Sequence, residues 1–135
     1  MNWLDHLIRF GGVDEAAAEH LARGFRTWLE AGGTLSLQRC LGLPANPESV
    51  RRAIRDGHLQ RAAATIEAPS DWQRAGMLAQ AAQHFELRRW PCWWDLELPP
   101  PNASDLDRHL FFAMRAGGGA LPKTQRQIFN VTKGE

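Results

Sequence analysis

Five histidines (His6, His20, His58, His84 and His109) and two cysteines (Cys40 and Cys92) are the side chains best suited to metal ligation or nucleophilic chemistry in this sequence. A helix presents two ligands on one face when they stand four residues apart. No histidine stands at that spacing from another histidine or from a cysteine. Glu19-His20 lacks a second ligand, and His84 with Glu86 and Arg88 reads as a solvated helix face. Carboxylates are spread along the chain, and Asp105 and Asp107 suit the first turn of a helix, where its dipole favours negative charge. Gly117 to Gly119 lack the Lys and Ser/Thr of a phosphate loop, and no H-E-x-x-H, paired C-x-x-C or G-x-S-x-G motif is present. The expectation is a chain with no catalytic site, no metal and no cofactor.

Arginine offers a different chemistry, because its planar fork makes bidentate contacts with guanine or phosphate. Arg39, Arg51, Arg52 and Arg55 fall within residues 34–57, which read as short helix, L-P-A-N turn and second short helix. That order matches a helix-turn-helix, in which a turn sets a recognition helix into the major groove. Residues 34–43 would be its first helix and 47–56 the recognition helix, with Arg51 and Arg55 on one face. Glu48 and Asp56 partly neutralise the cluster. Residues 104–131 repeat the pattern more weakly, around a longer G-G-G-A-L-P turn that suits a simple helical hairpin.

Tryptophan supplies the third feature. Trp90, Trp93 and Trp94 lie in W-P-C-W-W-D-L-E-L-P-P-P-N, residues 90–102, which the prolines mark as an extended connector rather than a helix. Large aromatics usually belong to cores, where these three would clamp the connector onto the helices. Tryptophan is also enriched at binding hot spots, so an exposed ring here marks a partner-binding surface.

The bulk properties narrow the choice. The chain has 135 residues, 44% hydrophobic and 23% charged, which suits one globular domain. Sixteen basic residues against fifteen acidic give a net charge of +1, so nucleic-acid binding would need a local patch rather than the overall field. Only Lys123 and Lys133 among the basic residues are lysine, a skew expected of a GC-rich bacterial or phage genome. Two distant cysteines fit a reducing compartment, and M-N-W-L-D-H-L-I-R-F carries charges inside its apolar run, unlike a signal peptide or membrane span. The expected location is the cytoplasm, with no membrane partner. A homodimer is compatible with the sequence.

The elements that must position these groups read as helices throughout. Asp14 caps a helix over 14–31, with Leu21, Phe25, Trp28 and Leu29 on one apolar stripe and Gly32-Gly33 at its end. Thr34 caps a short helix containing Leu37, Cys40 and Leu41. Asn46 caps a helix with Pro47 at its first position, burying Val50 and Ile54 and stopping near Gly57. A further short helix covers 59–66. Ser70 and Gln73 form a capping-box pattern before the strongest helix, whose stripe is Trp72, Ala75, Leu78, Ala79, Ala82 and Phe85. Ser104 caps a helix with Leu106, Leu110, Ala113 and Met114 inward, and residues 123–131 form a last helix with Ile128 and Val131. The fold class is all-α: a compact single-domain bundle of six or seven helices. A division into halves near Pro69 is the alternative, but no polar linker marks it.

The functional expectation is a non-enzymatic helical binding module that reads double-stranded DNA through residues 34–57, with Arg39, Arg51, Arg52 and Arg55 as contacts. The alternative is a protein–protein adaptor or inhibitor that uses residues 90–101, with Trp90, Trp93 and Trp94 as contacts.

Overall fold

The computed structural model describes residue 7, residues 11–43 and residues 46–133. The sequence reading of the N-terminal ten residues, His6 included, falls outside them except for Leu7, as do Pro44 and Ala45 of the turn. The described residues contain seven helices and no strand, as the periodicities predict: α1 (Glu15–Ala31), α2 (Leu37–Leu41), α3 (Pro47–Ala64), α4 (Asp71–Arg88), α5 (Trp90–Trp93), α6 (Asp105–Ala116) and α7 (Gln125–Thr132). No helix among them is long and apolar enough to cross a membrane. The chain divides into two compact units, Met1–Ala53 and Ile54–Glu135, with the boundary inside α3 rather than near Pro69.

In the first unit, the Asp14 carboxylate accepts the Ala17 amide at 2.8 Å and starts α1. Gly32 closes it at φ 61°, a left-handed conformation that glycine adopts without a Cβ clash. Ser36, not Thr34, caps α2, accepting the Arg39 amide; the Thr34 hydroxyl instead donates to the Ala31 carbonyl at 2.8 Å. The two helices pack closely at Gly24, where a Cβ would sit 2.8 Å from the Cys40 carbonyl oxygen and from Leu41 Cδ2. Ala17, Gly24 and Leu41 are buried there, and His20 Nε2 lies 3.2 Å from the Leu41 carbonyl oxygen. The apolar stripe of α1 is not the buried face. Phe25 is 43% exposed and Leu29 69%, while Leu21 and Trp28 are half-buried, so the expected burial of Phe25 is corrected.

Helix α3 begins as expected, with the Asn46 side chain accepting the Glu48 amide at 3.0 Å. It does not stop near Gly57. Gly57 is buried within one continuous helix to Ala64, so the separate short helix over 59–66 is also corrected. An interior glycine costs a helix only about 1 kcal/mol relative to alanine, and burial of the following Leu59, Ala62 and Ala63 offsets that.

The second unit has a conventional core. Leu59, Ala62 and Ala63 of α3, Ala75, Leu78, Ala82 and Phe85 of α4, and Leu110, Phe111, Ala113 and Met114 of α6 meet Ile128 of α7 and Leu121 of the loop preceding it. The caps follow the sequence: Ser70 accepts the Gln73 amide, Ser104 the Asp107 amide, and Thr124 with Gln127 completes a reciprocal capping box. Long polar side chains stitch the helices, with Gln60 donating to the Val131 carbonyl at 3.0 Å and Gln125 to the Trp72 carbonyl at 2.8 Å. Helix α7 starts at Gln125 rather than Lys123.

Candidate interaction surface

The tryptophan segment is an irregular connector from residue 94 to residue 102, as expected, but its first four residues, Trp90–Trp93, form the short helix α5. Pro91 falls in the first turn of α5, where its missing N–H removes no helical bond, so the prolines permit a turn that they would break further in. The Cys92 and Trp93 amides donate to the Arg89 carbonyl and the Trp94 amide to the Trp90 carbonyl, which fixes where the three indoles go.

Two of them hold the segment down. The Trp93 ring stands edge-on to Phe85 at 5.7 Å between centroids, and Trp90 lies 5.9 Å from Phe111 and 6.5 Å from Phe85. Phe85 and Phe111 are fully buried, so Trp90 and Trp93 roof the core of the second unit. Arg89 lies over the Trp93 ring at 5.8 Å and approaches Asp107 at 3.9 Å. Further along, Arg115 donates to the Glu97 carbonyl at 2.6 Å while its guanidinium lies 5.1 Å from both the Phe111 and Phe112 rings. Pro99 is buried and anchors the far end.

The residues between these anchors face outward. Trp94 is 63% exposed, Leu96 39% and Leu98 68%. Asp95 and Glu97 alternate with them and are exposed as well. A short apolar ridge with acidic side chains interleaved is thus held at both ends by buried contacts. Of the three tryptophans singled out by the sequence, only Trp94 is presented to solvent; Trp90 and Trp93 are its support. Cys92 is exposed and Cys40 half-buried, and both are free thiols.

The four arginines of the helix-turn-helix reading are distributed otherwise. Arg39, Arg51 and Arg52 are exposed in the first unit, whereas Arg55 belongs to the second. Arg55 is bound to its neighbour: its Nε donates to Asp56 Oδ1 at 2.8 Å and its second nitrogen lies 2.7 Å from the same oxygen. Residues 47–56, expected as a short recognition helix, are the first half of the longer α3.

The structure also brings together two histidines that the sequence leaves 51 residues apart. His58 Nδ1 of α3 and His109 Nδ1 of α6 are 3.3 Å apart, and the His58 ring stacks on Phe112 at 5.2 Å. Burial, followed by the charges of His109, Arg61 and Arg115, pushes the His58 pKa down from 6.5 to about 4. His109 is lowered too, by burial and Arg61, against an opposing pull from Asp105. Both shifts favour neutral rings, and in a neutral pair one Nδ1–H can donate to the other Nδ1. No third metal-ligating side chain joins them among the described residues. Helix periodicity within one segment could not have found this pair, because it is made by packing between two helices.

No family model, no curated protein and no solved structure matches this chain.

Proposed function

We propose that the chain is a non-enzymatic protein-interaction module that presents the ridge Trp94, Leu96 and Leu98 to a protein partner. The observation that carries this is the exposure of Trp94 on a segment whose neighbours Trp90 and Trp93 pack on buried phenylalanines. A rigid, exposed tryptophan loses little conformational freedom on binding and buries a large area, which is why such residues dominate interface energetics. Asp95 and Glu97 give the partner its second property. It should offer an apolar cleft with basic side chains at its rim, since opposite charges steer the encounter and exclude wrong partners.

Double-stranded DNA is a less favoured ligand. Arg55, one of the two same-face arginines on which that reading rests, is engaged by Asp56, and the overall charge supplies no attracting field.

The test is affinity capture from an extract of the source cells with wild-type and Trp94→Ala chains, followed by titration of the captured protein in purified form. Loss of Trp94 should weaken binding by tenfold or more, on the order of the 2 kcal/mol that defines a hot spot. Undiminished binding by Trp94→Ala would count against the ridge.

A further inference from the structure

We infer that α1 is a self-association surface on which a second copy of this chain docks antiparallel. Helix α1 has two apolar faces. The inner one carries the buried Ala17 and Gly24, with Gly24 against α2. The outer one consists of Ala18, Ala22, Phe25 and Leu29, all exposed. These four are spaced by four, three and four residues, the a/d repeat of a helix that packs lengthwise against another helix.

Side-chain size and charge both select the antiparallel arrangement with a second copy. The small residues lie in the N-terminal half of the stripe and the large ones in the C-terminal half. Run antiparallel, Ala22 of one chain meets Phe25 of the other, and Ala18 meets Leu29, so small opposes large in every layer. Run parallel, Phe25 would meet Phe25, and Ala18 would meet Ala18, leaving one layer crowded and another empty.

The flanking charges agree. Glu19 and Arg26 occupy the same flanking position one heptad apart, and both are exposed. In an antiparallel pair like flanks face each other, so Glu19 of each copy lies beside Arg26 of the other, giving two symmetry-related ion pairs. In a parallel pair Glu19 would lie beside Asp14 of the second copy, a like-charge contact. The antiparallel contact is self-complementary and closes on itself as a two-fold dimer. It spans only the 12 residues from Ala18 to Leu29, so the dimer should dissociate on dilution.

Sedimentation equilibrium of the full chain over a wide concentration range tests this. The wild type should pass from monomer to dimer as concentration rises. Leu29→Asp should remain monomeric throughout while keeping its helical circular dichroism, because Leu29 is 69% exposed. Glu19→Arg alone should weaken the dimer by about tenfold or more, by setting Arg against Arg across both symmetric contacts. Adding Arg26→Glu to that variant should restore wild-type association. A chain that stays monomeric at every concentration overturns the proposal. So does a dimer indifferent to Leu29→Asp, or a charge-swapped double variant no better than the single ones.

Discussion

The two units bury apolar residues in opposite ways. In the second, the large side chains Phe85, Phe111, Leu59, Leu78, Leu110, Met114 and Ile128 are fully buried, and the exposed large apolar residues are Trp72, Met77 and Leu87 on the outer side of α4 and Trp94, Leu96 and Leu98 on the ridge. In the first, the buried positions of α1 are Ala17 and Gly24, while Phe25 and Leu29 face outward. A helix with large side chains outside and small ones inside is built for close packing on one face and for association on the other. Amphipathic spacing alone therefore locates an apolar stripe without saying what covers it.

Substitutions at matched positions should separate the two kinds of face. Phe85→Ala in the second unit should have the largest effect, a loss of about 3–5 kcal/mol in denaturant unfolding, because Phe85 supports both Trp90 and Trp93 as well as the core. A loss below about 1 kcal/mol would mean that the tryptophan roof does not depend on it. Gly24→Ala should destabilise the first unit by about 1–3 kcal/mol, since the added methyl meets the Cys40 backbone, which cannot swing aside, as well as the Leu41 side chain. Hydrogen exchange should place that loss in α1 and α2 if the close contact is real, and leave their protection unchanged if it is not.

Acid should act on the second unit through the histidine pair. His58 is neutral in the folded chain until about pH 4, whereas unfolded histidine takes up its proton near 6.5. The unfolded state therefore binds more protons between those values, and stability should fall as pH drops from about 6.5 to about 4, with no further loss from this group below that. His58→Gln should flatten the His58 part of that dependence in melting curves; an unchanged slope would remove His58 as its source. The smallest effect belongs to Leu29→Ala and Trp94→Ala, each expected within about 0.5 kcal/mol of wild type in stability because their side chains are exposed.

Much of the architecture was legible from local signals. Asp14, Ser70 and Ser104 cap helices where their spacing predicts, and of the stripe Trp72, Ala75, Leu78, Ala79, Ala82 and Phe85 all but Trp72, which is half-exposed, form the inner face of α4. The errors arose where packing outweighs local preference. Gly57 reads as a stop, yet the burial around it carries α3 through. Four prolines suggest a non-helical run over residues 90–102, which holds for 94–102, but Pro91 sits in the first turn of α5, the part of a helix that tolerates it. Three tryptophans in five residues signalled a surface without separating Trp94 from its two supports. That distinction depends on Phe85 and Phe111, which come from different helices. The His58–His109 pair likewise depends on the packing of α3 against α6.

The most direct test of the functional proposal is capture at low and at moderate salt with three chains: wild type, Trp94→Ala, and Arg51→Ala with Arg52→Ala. A protein retained at both salt concentrations by the wild type and the arginine variant, and lost from Trp94→Ala, is the predicted result. Retention of duplex DNA at low salt only, abolished in the arginine variant and unaffected by Trp94→Ala, would contradict it.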